Sequence, residues 1–324
     1  MVVGKSAGLF GGAPANVRVR APGKINVSFR VGPLREDGYH SVASVYLAVS
    51  LYEEVTATVS EEPGTVVTVN GQGSLNLPVE SIPLDATNLA ARASALLAEL
   101  SDHSTGLLLD ITKRVPVAGG MGGGSADAAA TLLACDALWN SGFSRDELAK
   151  MAAELGADVP FALIGGTAVG MGVGEQLTPA ISKTPLHWVL VTSAYGLSTP
   201  EVYRALDELR LREGSEPTAP PEIDPRILGA MRSGDAQALA ELLHNDLQAA
   251  ALELAPDLAG ILQAGTEAGA LASIVSGSGP TVAFLAESEE HAQALAGQLT
   301  ADGLTATAVH GPVHGARIVT DYIA

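Results

Sequence analysis

The chain has 324 residues, 47% of them hydrophobic and 17% charged, with a formal net charge of −18. That length suffices for two ordinary domains with packed cores, and the acidic balance argues against a nucleic-acid groove or an anionic membrane surface as partner. No run of about 18 uninterrupted apolar residues occurs, so no membrane span is expected. The single cysteine, Cys135, excludes an internal disulfide and fits a reducing, cytoplasmic setting.

Residues 1–16 are glycine-rich, lack a charged-then-apolar signal pattern, and read as a disordered lead-in. "VRVRAPGKINVSFRV" (17–31) alternates like a strand, interrupted at Pro22-Gly23, and "SVASVYLAVSLYEEVTATVS" and "TVVTVNG" continue as strands. "DATNLAARASALLAEL" (85–100) predicts a helix capped by Thr87, with Leu89, Ala93, Leu96, Leu97 and Leu100 on one stripe. "TGLLLDITKRVPV" is a strand leading into a glycine run, and "SADAAATLLACDALW" a helix leading out of it. "SRDELAKMAAELG" carries a capping box, Ser144 with Glu147, and ends at Gly156.

"GTAVGMGVGE" and "HWVLVTS" read as strands, and a helix follows from Thr199-Pro200 through "EVYRALDELRL". The proline- and acid-rich "EGSEPTAPPEIDP" (213–225) is a surface loop, and "AQALAELLHNDLQAAALELAP" a long amphipathic helix closed by Pro256. The tail runs strand, glycine turn, strand, helix, strand, the order of a small antiparallel sheet with helices on one face. The expected division is a domain over 17–180, a second over 181–318 and a tail at 319–324.

The glycine run raises a chemical question. "PVAGGMGGGSADAA" sets Gly119, Gly120, Gly122, Gly123 and Gly124 ahead of Ser125, although each glycine weakens a helix by roughly 1 kcal/mol relative to alanine. Strand, glycines, serine, helix is the recipe for an anion site: free N–H groups and the helix dipole meet a phosphate that bare backbone approaches closely. The alternative is a tight turn whose glycines serve packing. Neither G-x-x-x-x-G-K-[ST] nor G-x-G-x-x-G occurs here.

Two further stretches join it in order, "RAPGKINVSFRVGPLREDGYHSV" (20–42) and "VSGSGPTVAF" (275–284). With "PGKIN", "REDGYH", "GGGSADAA", "LGADVPF", "HNDL" and "SGSGPT", the chain resembles the GHMP kinase superfamily from about residue 17 to about 316. Within it, "DGYH" together with "GADVPF" resembles the branch that phosphorylates a cytidine diphosphate-linked methylerythritol with ATP and Mg²⁺, in the non-mevalonate isoprenoid route. Kinases of mevalonate or homoserine type, and a nucleotide-binding relative without catalysis, are the alternatives. The resemblance implies an α+β, two-domain GHMP kinase fold. Its N-terminal nucleotide-binding domain would be of ribosomal protein S5 domain 2-like type, its C-terminal domain ferredoxin-like.

By the same resemblance, Asp158 would be the base that takes the hydroxyl proton, with Lys24 beside it and Asn26 near the transferred hydroxyl. Asp158 also stands where an N-cap ahead of Pro160 would stand. The ATP phosphates would lie in the loop Pro116, Val117, Ala118, Gly119, Gly120, Met121, Gly122, Gly123, Gly124, Ser125 and Ala126, with Ser125 near Mg²⁺ and Lys113 reaching the adenine side. Asp127 reads as a complement to the helix dipole or an indirect metal partner through water. Tyr39, His40 and Tyr203 would hold the cytosine, Tyr203 also having a helix-packing reading. His244 and Asn245 are expected inside a helix, in a structural role. Positive charge at the site would come from Lys24, Lys113, Arg114 and the loop amides. Met121, Ala126 and Gly23 stand where relatives commonly carry leucine, serine and alanine, all conservative in size.

Overall fold

The computed structural model describes residues 16–72, 79–103, 106–182, 184–215, 217 and 221–319. The expected lead-in and tail, apart from Asn16 and Val319, and part of the 213–225 loop lie outside these residues.

A first sheet is built on two long strands, β1 (Asn16–Leu34) and β2 (His40–Ser60), joined by the Gly38 turn. β3 (Thr65–Gly71), α1 (Leu89–Leu100), β4 (Gly106–Lys113) and α2 (Gly123–Trp139) follow. Next come α3 (Arg145–Leu155), α4 (Val159–Ile164), β5 (Thr167–Met171) and β6 (Gln176–Ala180). α2 lies against α1, β1 and β2, and its alanines give it no polar face, because it is buried almost all round. The Ser144–Glu147 capping box and the Gly156 stop stand as expected on α3.

The second sheet begins at β7 (Leu186–Thr192), followed by α5 (Thr199–Glu213), α6 (Pro225–Ser233) and α7 (Ala236–Ala240). The two-residue β8 (His244–Asn245), α8 (Gln248–Leu254) and α9 (Asp257–Glu267) lead to β9 (Ala272–Val275) and β10 (Val282–Ala286). α10 (Glu289–Ala301), β11 (Thr305–Gly311) and β12 (Arg317–Ile318) close the chain. The sheet order β11-β7-β10-β9, all antiparallel, is the ferredoxin-like arrangement, and β8 and β12 return to β1 of the first sheet.

The Pro22-Gly23 interruption is a shift of register inside a continuous strand, not its end. Before it, Val17, Val19 and Ala21 pack into the core beneath α1 and α2. After it, Ile25 and Val27 pack against Trp188 and Leu190 of the second sheet. Residues of the same parity thus change core across the irregularity, and Lys24 and Asn26 turn toward the start of α2. That local fault places the lysine.

Two expectations fail. The helix over 85–100 is capped by Asn88, whose Oδ1 accepts from Ala90 N at 2.8 Å; Thr87 instead bonds Asp85, and Leu100 is exposed. The long helix over 236–256 is broken into α7, β8 and α8. Asn245 breaks it: its Nδ2 donates to the carbonyls of Val275 and Gly277 at 2.7 and 2.8 Å, and its Oδ1 accepts from Leu247 N. Those bonds outweigh the apolar periodicity that continues across the break.

Candidate active site

A cleft of about 740 Å³ lies between the glycine loop, the β1–β2 strands, the start of α4, and the 197–200 and 277–278 segments of the second half. It is lined by Pro116 to Gly120 and by Gly122 to Ser125, whereas Met121 is buried in the core and Ala126 faces away from the cleft. α2 begins at Gly123 with Gly122 as N-cap in a left-handed conformation (φ 70°) and no side-chain cap. Ser125 is the third residue of the helix and faces the cleft. The first-turn amides of α2 lack intrahelical partners and form a positive end for an anion.

The glycines serve the protein's own packing as much as any ligand. A Cβ on Gly120 (φ 74°) would lie 2.0 Å from Ser276 O, and one on Gly119 would lie 2.5 Å from Pro116 Cβ. The loop is thus pressed against the Ser276–Thr281 turn, and Thr281 N donates to Gly119 O at 3.4 Å. Gly120→Ala is expected to cost about 1–3 kcal/mol in backbone strain alone. A urea melt reads that cost.

Lys24 is buried, and its Nζ donates to Asn26 Oδ1 at 2.8 Å and to Gly120 O at 2.9 Å. The same ammonium lies 3.6 Å from Asp158 Oδ2. Asp158 occupies the N-cap position of α4 yet makes no side-chain cap bond, so its carboxylate is left to the cleft. Asn26 is held in turn, its Nδ2 donating to Ser44 Oγ at 2.7 Å and Ser44 Oγ donating to Ser28 O. Sequence reasoning missed Tyr46, the cross-strand partner of Asn26, whose phenol sits beside Asp158 and Ser44. Burial, then the Asp158 charge, pushes that phenol well above its ordinary pKa, so it stays a neutral hydroxyl. Only strand register reveals it.

The residues expected to hold a base are not all together. His40 is buried, stacks on Tyr203 with ring centroids 5.1 Å apart, and shares a hydrogen between Nε2 and Asp207 Oδ1 at 2.9 Å. Tyr203 lines the cleft, and burial followed by the Asp158 charge raises its phenol pKa. Tyr39 is 65% exposed on the turn and does not line the cleft. His244 and Asn245 pair with Ser28 and Phe29 as a strand.

Lys113 lines the cleft, where the resemblance sets it, but not as a free cation. It is buried between Glu53 and Asp127 at 2.6 and 2.7 Å, so its charge is neutralised within the protein. Asp127 lies past the first turn of α2, so it is not a first-turn dipole complement, and it spends Oδ2 on Lys113 while Oδ1 has no hydrogen-bond partner. Arg114 pairs with Glu54 and Gln72 and does not line the cleft. The local positive potential comes from Lys24 and the α2 amides.

Burial pushes Glu53 up to about 8 against the opposing pull of Lys113. The folded protein then keeps a proton that the unfolded chain releases near the ordinary value of 4.5. Stability therefore falls as pH rises through the window between those values. Glu53→Gln is expected to give a shallower decline of Tm across that window than the wild type, with a residual slope because Asp127 is shifted in the same direction. Parallel Tm curves for the two proteins would refute this.

Residues 88–166 match the family description "GHMP kinases N terminal domain" and residues 227–303 match "GHMP kinases C terminal". The chain is 65% identical over 309 residues to the 4-diphosphocytidyl-2-C-methyl-D-erythritol kinase of Pseudarthrobacter chlorophenolicus, covering 95% of this chain and 97% of that one. It is 51% identical over 313 residues to the protein of that name from Thermobifida fusca, covering 95% and 99%. A crystal structure of 4-(cytidine 5'-diphospho)-2C-methyl-D-erythritol kinase aligns at TM-score 0.71 and 32% identity, covering 90% of this chain and 98% of that one. L. major mevalonate kinase aligns at TM-score 0.72 but 18% identity, covering 91% and 96%, a likeness of fold alone. With both GHMP segments in order and such identity along nearly its whole length, the chain belongs to the 4-diphosphocytidyl-2-C-methyl-D-erythritol kinase family of GHMP kinases.

Proposed function

We propose that the protein transfers the γ-phosphoryl group of ATP to the 2-hydroxyl of 4-diphosphocytidyl-2-C-methyl-D-erythritol. The observation that carries the reading is the Lys24–Asp158 contact of 3.6 Å at the end of the phosphate loop, with Lys24 also bonded to Gly120 O. The acceptor carbon bears a methyl group, so its hydroxyl is tertiary and a poor nucleophile. Asp158 accepts the hydroxyl proton as the new O–P bond forms and the bond between the γ-phosphorus and the β–γ bridging oxygen breaks, leaving ADP. Lys24 neutralises charge developing on the transferred group, while the α2 amides hold the departing phosphates. Asn26 fixes Lys24 and faces the acceptor.

Among the described residues no cluster of three or more His, Cys, Asp or Glu is placed to hold a metal. Ser125, facing the cleft, is the hydroxyl that fits Mg²⁺ carried on the nucleotide, where the ion would neutralise phosphate charge. Tyr203, backed by His40, offers the aromatic face for cytosine. Tyr39 enters this reading only as the exposed edge of the same turn. No helix among the described residues is long and apolar enough to cross a membrane.

The test is ADP release with ATP, Mg²⁺ and one of three alcohols: the cytidine substrate, mevalonate or homoserine. Turnover with the cytidine substrate alone is expected. Turnover with either of the others instead would keep the kinase and remove the cytosine roles of His40 and Tyr203.

A further inference from the structure

Three buried titratable groups lie beneath the first turn of α2, two of which, Lys113 and Asp127, reach the wall of the same cleft as the reacting pair. Glu53 of β2, Lys113 of β4 and Asp127 of α2 are 0%, 3% and 4% exposed. Lys113 Nζ stands 2.6 Å from Glu53 Oε1 and 2.7 Å from Asp127 Oδ2. Glu53 also accepts from Arg114 N at 2.9 Å and Val115 N at 3.3 Å, the two residues that lead into Pro116. Gly123, the first residue of α2, closes over them: a Cβ there would lie 3.0 Å from Glu53 Oε1 and 3.3 Å from Lys113 Nζ. The second carboxylate oxygen of Asp127, Oδ1, is buried without a hydrogen-bond partner.

Glu53 thus carries the entrance of the phosphate loop and Asp127 its exit, and Lys113 ties the two together. An ammonium held between the Glu53 carboxyl group and the Asp127 carboxylate has no unbalanced positive charge to offer a phosphate or a base. Buried ion groups of this kind add little net stability but hold parts in register, and removing one member strands the others.

We infer that Glu53, Lys113 and Asp127 form one positioning unit that sets the phosphate loop and the start of α2 from below, and that Lys113 serves the nucleotide through its carboxylates rather than by touching it. The inference rests on the kinase reading only for the identity of the ligand, ATP. A lysine in contact with nucleotide would act whether or not Asp127 were charged. A positioning lysine is needed only while Asp127 is charged, and that difference is measurable.

The experiment is equilibrium titration of AMP-PNP with Mg²⁺ into wild type, Lys113→Met, Asp127→Asn and the double variant, with a thermal melt of each. Lys113→Met is expected to raise the Kd about tenfold or more, because the buried Asp127 carboxylate loses its cation. The double variant is expected to recover most of that loss, because no buried carboxylate is then left without its cation, Glu53 being held protonated. Titration with the cytidine substrate should give a Kd within about twofold of wild type throughout, since the bonds of the unit run to the two ends of the loop.

A double variant as weak as or weaker than Lys113→Met would overturn the inference and return Lys113 to direct contact. If Lys113→Met does not fold, Asp127→Asn, which keeps shape and removes charge, decides. A Kd for AMP-PNP raised about threefold supports the positioning role. An unchanged Kd with a lowered Tm would make the unit structural only and overturn it. Wild type that binds AMP-PNP yet phosphorylates no alcohol would count against the kinase reading and leave this cycle readable.

Discussion

Asp158→Asn is expected to lower kcat by about 10²–10⁴-fold, the span a positioned general base supplies, while the KM for ATP changes by less than about twofold. Asparagine keeps the shape of the side chain and cannot take the alcohol proton. The helix it begins does not suffer, because Asp158 makes no side-chain cap bond to α4. Nor does Lys24 swing away, since Asn26 Oδ1 and Gly120 O hold it independently of Asp158. The variant should therefore melt like the wild type and bind nucleotide normally. A fall in kcat matched by an equal fall in nucleotide affinity would instead place Asp158 on the nucleotide.

Lys24→Ala is expected to cut kcat by about 10²–10³-fold, the loss typical of removing one preorganised group aimed at developing charge. Its effect on the KM for ATP should stay below about fivefold, because the α2 amides remain. The loop keeps part of its support: Ser276 Oγ still donates to Gly120 O at 3.3 Å and Thr281 N to Gly119 O. Lys24→Met separates charge from packing, since it fills the buried stem and removes only the ammonium. Equal losses in kcat and ATP affinity would move Lys24 to the nucleotide side.

These two residues were legible in the sequence for a plain reason. The motifs "PGKIN" and "GADVPF" bring both residues in through the family resemblance, whereas local pattern alone leaves Asp158 equally readable as an N-cap. The strand–glycine–helix order around residues 116–126 was local, as were the capping box on α3 and the ferredoxin-like order of the second half. What escaped depends on partners far away in the chain. Lys113 reads as a free cation until Glu53, 60 residues earlier, is folded against it. Asn245 reads as helix until its bonds to the carbonyls of Val275 and Gly277 are known.

The glycine loop was half legible. Its anion-binding form follows from the sequence, yet the reason for Gly119 and Gly120 is a neighbour that local pattern does not name. The Ser276 turn, more than 150 residues later, leaves no room for a Cβ at Gly120. Tyr46 was hidden in a similar way, because only the pairing of β1 with β2 sets it opposite Asn26.

Phosphorus NMR of the products of ATP and the cytidine substrate tests the site of phosphoryl transfer most directly. A phosphate on carbon 2 has no proton on its ester carbon. Transfer to that hydroxyl therefore gives one new phosphomonoester singlet, an intact diphosphate bridge, and ADP formed in equal amount. A proton-coupled phosphomonoester, or inorganic phosphate accompanying ADP with no ester formed, would contradict it.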